Sequence, residues 1–194
     1  LILVNINPAY RQHELNYVLE KAGVRCVFAA RRYKDSDYRT MLLEASKQRG
    51  VKLDKVIYFG SADWYERMHG EIDDLSEYTA DLHCDDPINI QFTSGTTGFP
   101  KGATLTHRNL LNNGYFIGEL LGYTENDRVC VPVPFFHTFG MVIGTFATFT
   151  HGGAIIIPAP SFKARETLKA VHSAKATSLY GVPTMFINEL EEAH

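Results

Sequence analysis

Residues 88–102 read INIQFTSGTTGFPKG. Ile88–Thr93 reads as a tight apolar strand. It runs without a break into Ser94–Gly95–Thr96–Thr97–Gly98–Phe99–Pro100–Lys101–Gly102. Between Thr93 and Lys101 stand four hydroxyls (Thr93, Ser94, Thr96, Thr97), two glycines and a lysine. Glycine lets a backbone adopt positive φ and come close to a ligand. Successive N–H groups in such a turn form an anion-binding concavity. Hydroxyls donate to phosphate oxygens without adding charge, and a lysine adds a point charge. A strand feeding this loop puts it at the carboxyl edge of a parallel sheet, where open α/β folds bind ligands. The stretch is expected to hold a polyphosphate.

Two better-known phosphate loops do not fit. A Walker A loop needs Gly-Lys-Ser/Thr four residues after its first glycine, and here Lys101 precedes its glycine. Gly-x-Gly-x-x-Gly is absent as well. A flexible Ser/Thr/Gly linker would not join a tight strand to a capped helix.

The flanking sequence is read as α/β. Leu1–Val4 reads as a buried strand, with Asn7 and Pro8 as N-cap and first turn of a helix carrying Leu15, Val18, Leu19 and Ala22 and stopping at Gly23. Val24–Ala29 and Val56–Phe59 read as strands around a helix over Tyr38–Lys47. Alternating strands and helices predict mostly parallel sheets with crossover helices. Beyond the loop, Thr106 caps a helix to Leu121 with Leu110, Leu111, Ile117 and Leu121 on one side and Gly122 as stop. Arg128–Val131, Ala154–Ile157 and Thr177–Tyr180 read as short strands, and Phe139–Phe149, Phe162–His172 and Met185–Glu192 as helices. The organisation expected is a first α/β segment at 1–60, an acidic connector at 61–87 and a phosphate-loop α/β segment at 88–194.

The 194 residues are 45% hydrophobic and 21% charged, which excludes disorder and disulfide-stapled miniproteins. Net charge is −3, with no concentrated basic face for nucleic acid or an anionic membrane. Ser61–Pro87 holds nine acids against Arg67 alone, so an anionic substrate falls to the remainder of the chain. Cys26, Cys84 and Cys130 lack metal-ligand spacing and read as free thiols in a reducing compartment; no metal site of the protein's own is expected. Leu1–Val4 lacks the basic flank and length of a signal peptide, and the apolar run Phe139–Pro158 is broken at His151–Gly152–Gly153, so no transmembrane segment is expected. Leu1 is not a start methionine and the last helical pattern has no stop signal, so the chain is expected to be a piece of a longer protein.

TSGTTGFPKGA, from Thr93 to Ala103, resembles the phosphate-loop signature of the adenylate-forming (AMP-binding) enzymes. VNINPAY (4–10), DPINIQFTSGTTGFPKGATLTHRNLLNN (86–113), VPFFHTFGM (133–141) and LYGVPTMF (179–186) resemble the fatty-acyl-CoA synthetase branch, close to medium-chain enzymes. The resemblance implies part of that family's large N-terminal domain, without the C-terminal domain. It implies that Thr93, Ser94, Gly95, Thr96, Thr97, Gly98, Phe99, Pro100 and Lys101 hold the β- and γ-phosphates of Mg2+-ATP. Lys101 would steady the loop or the leaving pyrophosphate. His137 would lie by the acyl and adenylate pocket, and Gly181 and Pro183 would line it. Taken by itself, His137 reads as readily as a packed residue, Pro183 as the opening of the last helix, and Phe135, Phe136, Phe139 and Phe146 as core.

The reaction implied is ATP-dependent activation of a fatty acid, medium chain favoured, to an acyl-adenylate, followed by transfer to coenzyme A. The family's Tyr-Gly-x-Thr-Glu segment, its ribose-holding aspartate and its C-terminal lysine are missing from these residues, so the piece alone is expected to be inactive. The alternatives are a luciferase-like or amino-acid-adenylating branch and a non-catalytic nucleotide-binding module. The compartment expected is the cytoplasm, or the mitochondrial matrix for a eukaryotic source.

Overall fold

The computed structural model describes residues 1–70, 74–93 and 100–193, in two units, Leu1–Thr104 and Leu105–His194. The first unit runs β1 (Leu3–Asn5), α1 (Gln12–Lys21), β2 (Cys26–Ala29), β3 (Arg32–Tyr33), β4 (Ser36–Asp37), α2 (Tyr38–Ser46), β5 (Lys55–Tyr58), α3 (Ala62–His69), α4 (Ser76–Thr79), β6 (Pro87–Thr93) and β7 (Lys101–Thr106). β1 pairs with β6 in parallel, and β7 lies on the other side of β6. β2 and β5 pair in parallel from Cys26↔Lys55 to Ala29↔Tyr58, with α2 in the crossover. β3 and β4 form a small antiparallel hairpin that the sequence reading lacks. Leu15 and Leu19 of α1 pack with Leu42 and Ala45 of α2, Val27 of β2 and Val51. Each fully buried Leu or Val contributes about 1.5–3 kcal/mol.

Three expectations are corrected in this unit. Asn7 does not cap α1: its Oδ1 accepts from the Ala9 N–H (2.9 Å) and its carbonyl from the Tyr10 N–H (3.0 Å), closing a separate turn. The helix starts after Arg11, whose N–H donates to Glu14 Oε2 at 3.1 Å. β1 is not buried, because it is an edge strand and Leu3 stays exposed. The acidic stretch is not bare connector. Ser61 Oγ caps α3 through the Trp64 N–H (3.1 Å), and the indole sits edge-on to Phe59 at 5.0 Å and Phe28 at 6.4 Å. Asp63 accepts from Lys55 (3.2 Å) and Arg67 (3.3 Å). Glu71 and Asp73 lie outside the described residues.

The second unit runs α5 (His107–Leu121), β8 (Arg128–Cys130), a π-helix (Phe139–Phe146) continued by α6 (Ala147–Phe149), β9 (Ala154–Ile156), α7 (Ala164–Ser173), β10 (Ser178–Leu179) and α8 (Pro183–Ala193). The sheet order is β10-β8-β9, parallel throughout, around Val129, Val131, Val133, Tyr123 and Ala147. Thr106 caps α5 as predicted: its Oγ1 accepts from the Asn109 N–H at 3.2 Å, and Asn109 Oδ1 returns a bond from the Thr106 N–H at 3.1 Å. Gly23 and Gly122, the predicted stops, stand just past α1 and α5 with φ of +60° and +67°.

The buried side of α5 differs from expectation. Leu111 and Leu121 are each 52% exposed, while Leu110, Gly114 and Gly118 are buried. The Phe146–Ala147 backbone closes on both glycines. A Cβ on Gly118 would stand 2.7 Å from the Ala147 carbonyl oxygen, and one on Gly114 3.0 Å from the Phe146 carbonyl carbon. His151 completes the contact, its ring stacked on Tyr115 at 5.2 Å and its Nε2 3.1 Å from Glu119 Oε1. The helix expected over Phe139–Phe149 is present, but eight of its residues are π-helical, with the Ala147 N–H reaching back to the Val142 carbonyl. Among the described residues no helix is long and apolar enough to cross a membrane.

Gly118→Ala is expected to lower the unfolding free energy by about 1–3 kcal/mol, as overpacking against backbone does. Leu111→Ala should stay within about 0.5 kcal/mol because it is a surface change. Urea unfolding of both variants checks the pair.

Candidate active site

In the first unit the candidate residues are built on β6. Asn89 and Gln91 are buried, on successive positions of one strand face. Asn89 Nδ2 donates to the Leu3 carbonyl at 3.0 Å, and Asn5 Nδ2 to Gln91 Oε1 at 3.4 Å, across the registered pairs Leu3↔Asn89 and Asn5↔Gln91. Buried amides are costly unless bonded, and a one-residue slip would turn both to the other face. Side-chain amides therefore fix where β6 ends. On the opposite face Phe92 meets the Tyr17 ring edge-on at 6.4 Å.

Thr93 and Lys101, the ends of the predicted loop, are brought together: Thr93 Oγ1 donates to the Lys101 carbonyl at 3.4 Å. Both are exposed, and Pro100 is half-buried before β7. Lys101 begins a strand rather than ending a loop. Ser94, Gly95, Thr96, Thr97, Gly98 and Phe99 lie outside the described residues.

In the second unit the candidate residues lie at one edge of the β10-β8-β9 sheet. β8 and β10 are parallel neighbours ending at the pair Cys130↔Leu179, and the Tyr180 N–H extends the ladder to the Cys130 carbonyl at 3.0 Å. The segments after both strands leave the same carboxyl edge. His137 stands exposed in the first of them, in a turn closed by its N–H to the Pro134 carbonyl at 3.3 Å. Its Nδ1 accepts from the Phe139 N–H at 3.1 Å, so in the neutral ring the proton is on Nε2. Gly181 and Pro183 follow the other strand. Gly181 is half-buried, with the Phe186 ring 3.0 Å from where a Cβ would stand, and Pro183 opens α8.

A residue that sequence reasoning gave no role joins the two segments. The Tyr180 ring meets Phe139 edge-on at 5.5 Å. Tyr123 Oη donates to Tyr180 Oη at 2.9 Å and is itself 2.8 Å from Ser178 Oγ, which leaves Ser178 as the donor there. Burial first, and then the Tyr123 bond, push the Tyr180 phenol far above its ordinary range, so it stays neutral. A tyrosine at a strand end before Gly-Val-Pro was the available signal. Among the described residues no three His, Cys, Asp or Glu side chains cluster as a metal site requires.

The family model described as AMP-binding enzyme matches residues 1–194. The chain is 37% identical to the medium-chain acyl-CoA ligase ACSF2, mitochondrial, of Danio rerio over 98% of its own length and 35% of that protein's. Against the Homo sapiens protein of the same name it is 36% identical, over 99% of this chain and 35% of that protein. The chain thus spans about a third of the length of these curated relatives. The crystal structure of ATP-bound MatB from Rhodopseudomonas palustris superimposes with a TM-score of 0.81 at 28% identity, over 98% of this chain and 36% of that one. The N-terminal domain of FACL13 from Mycobacterium tuberculosis shares the fold, with a TM-score of 0.80 at 20% identity, over 97% of this chain and 45% of that one.

Under this edge of the sheet two groups pay for burial. The Cys130 thiol is pushed up to about 11 by burial, with the Glu189 charge adding to it. Glu189, on α8, is 5% exposed, and its Oε1 has no hydrogen-bond partner among the described residues. Burial raises its carboxyl above the ordinary 4.5. A carboxyl that binds its proton more tightly folded than unfolded leaves stability intact in acid and erodes it as pH climbs above the unfolded value. Glu189→Gln should therefore raise the urea midpoint at pH 7, with the gain vanishing below about pH 4.5, the ordinary value. A series of urea melts from pH 4 to 8 reads this.

Proposed function

Since the chain belongs to the AMP-binding enzyme family, we propose that it is part of an ATP-dependent acid–thiol ligase that activates fatty acids. The observation that carries the reading is the TSGTTGFPKG stretch set between the carboxyl end of β6 and the start of β7, its ends tied at Thr93 and Lys101. In the first step a carboxylate oxygen attacks the α-phosphorus of ATP and pyrophosphate leaves. In the second the thiol of coenzyme A takes the acyl group and AMP leaves. In-line displacement of this kind rests on positioning and on stabilising developing charge, so no protein nucleophile is needed.

Residues Thr93–Lys101 hold the β- and γ-phosphates in this reading, with backbone N–H groups, hydroxyls and the Lys101 charge meeting the oxygens. Mg2+ enters with the nucleotide. His137, its Nδ1 occupied by Phe139, offers Nε2–H to the carboxylate or the adenylate. Gly181 and Pro183 border the acid pocket. Medium-chain acids are favoured because the ACSF2 relatives carry that name. The compartment in this reading is the cytoplasm, or the mitochondrial matrix for a eukaryotic source; the word mitochondrial in the names of the eukaryotic relatives supports the second. The 194 residues alone are inactive in this reading, because the chain spans 35% of those relatives.

Carboxylate-dependent ATP–pyrophosphate exchange by the full natural polypeptide, with acids from acetate to palmitate and with amino acids, tests the proposal. Exchange peaking at medium-chain acids is expected. Exchange with amino acids alone points to an amino-acid-adenylating branch, and none with any acid to a nucleotide-binding module. Within the active enzyme, Thr96→Ala combined with Lys101→Ala should raise the apparent KM for ATP and cut exchange by about tenfold or more, and removing the exposed Lys101 side chain should not lower Tm. Unchanged ATP kinetics in a folded double variant would refute the loop assignment.

A further inference from the structure

The two turns read above as bordering the acid pocket lie 44 positions apart in the second unit, from His137 to Gly181, yet they share one sheet edge. What spans them is a short chain of contacts. His137 Nδ1 holds the Phe139 N–H, the Phe139 ring meets the Tyr180 ring edge-on, and Tyr180 is bonded in sequence to Gly181. The far side of Tyr180 is pinned by its hydroxyl to Tyr123, which also bonds Ser178. Phe139 is the first residue of the π-helix, a rare geometry that recurs at functional sites. Edge-to-face aromatic pairs add specific orientation to simple burial.

We propose that Tyr180 is a positioning residue that joins the His137 turn to the Gly181–Pro183 turn as one wall of the acid pocket, and thereby sets which acid length is accepted. The proposal rests on the ligase reading above. Tyr180 touches neither acid nor nucleotide in it; the hydroxyl anchors the ring through Tyr123, and the ring carries Phe139. Loss of the ring frees the π-helix end and lets the wall recede.

The test uses the full natural polypeptide in pyrophosphate exchange. Tyr180→Leu should raise the acid KM by about five- to tenfold, from the loss of one aromatic pair, and move the preferred acid to a different length. The KM for ATP should stay within about twofold. Tyr180→Phe keeps the ring and should hold the acid KM to within about twofold of wild type; if the leucine variant fails to fold, Phe139→Leu must show the raised acid KM by itself. Phe139→Leu breaks the same contact from the other side. The double variant with Tyr180→Leu should do no more than either single change. Wild-type acid KM and length profile in a folded Tyr180→Leu protein, additive effects in the double variant, or equal rises in acid and ATP KM would each overturn the proposal. If the wild-type protein exchanges with no acid, the ligase reading falls instead. Hydrogen exchange then decides the coupling: faster exchange at the Phe139 and Met141 amides in both single variants upholds the Tyr180 tie, and unchanged rates end it.

Discussion

A strand cannot join a parallel neighbour through a tight turn; the chain must travel back along the sheet before it can pair again. That constraint shapes both units. β1 meets β6, β2 meets β5, and β8 meets β9 and β10, all in parallel, and each pairing is bought with helices laid between the strands. Within each parallel pair the two strands deliver their carboxyl ends to the same edge of their own sheet. In the first unit Thr93 ends β6; in the second, the His137 turn follows β8 and Gly181 follows β10. In the second unit His137 and Gly181 stand just past the last registered rungs of β8 and β10.

Apolar burial supplies the bulk of the cohesion, yet polar contacts choose among alignments. Leu15, Leu19, Leu42 and Val27 would bury nearly as well with a strand moved by one residue pair. The amides of Asn5, Asn89 and Gln91 would not, because their partners lie at fixed rungs. The hydroxyls of Tyr123, Ser178 and Tyr180 act likewise at the end of β10, where only two residues are in the strand. Where α5 meets the π-helix, selection is by size, since Gly114 and Gly118 admit backbone where a methyl group would collide.

These different causes explain what could be read from the residues. Thr106, Gly23, Gly122 and Pro183 act on their own backbone within a turn, so the ends of α1 and α5 and the start of α8 were legible. The parallel α/β pattern was legible because apolar runs and helical spacing alternate. KGATLT at 101–106 carries no strand reading, since its first two residues read as the end of the loop and its strand character comes from lying beside β6. Leu111 and Leu121 carry the helical spacing of a buried face, but the approach of Phe146 and Ala147 chose the glycine side. The π-helix leaves no mark in FGMVIGTF, which is apolar all round. In the candidate site, the loop and His137 were visible as motifs. The role of Tyr180 was not, because its partners Tyr123 and Phe139 lie 57 and 41 positions away.

Cys130 has a consequence for anyone handling this protein in solution. Cys26 and Cys84 are exposed, whereas Cys130 is buried in β8 with its thiol pushed to about 11. Thiolate, not thiol, reacts with alkylating reagents and oxidants. In the native chain two sulfurs are open to label and the third is shielded by both geometry and protonation. The extent of alkylation is thus a built-in gauge of whether the second sheet is closed, legible by mass alone and requiring no engineered probe.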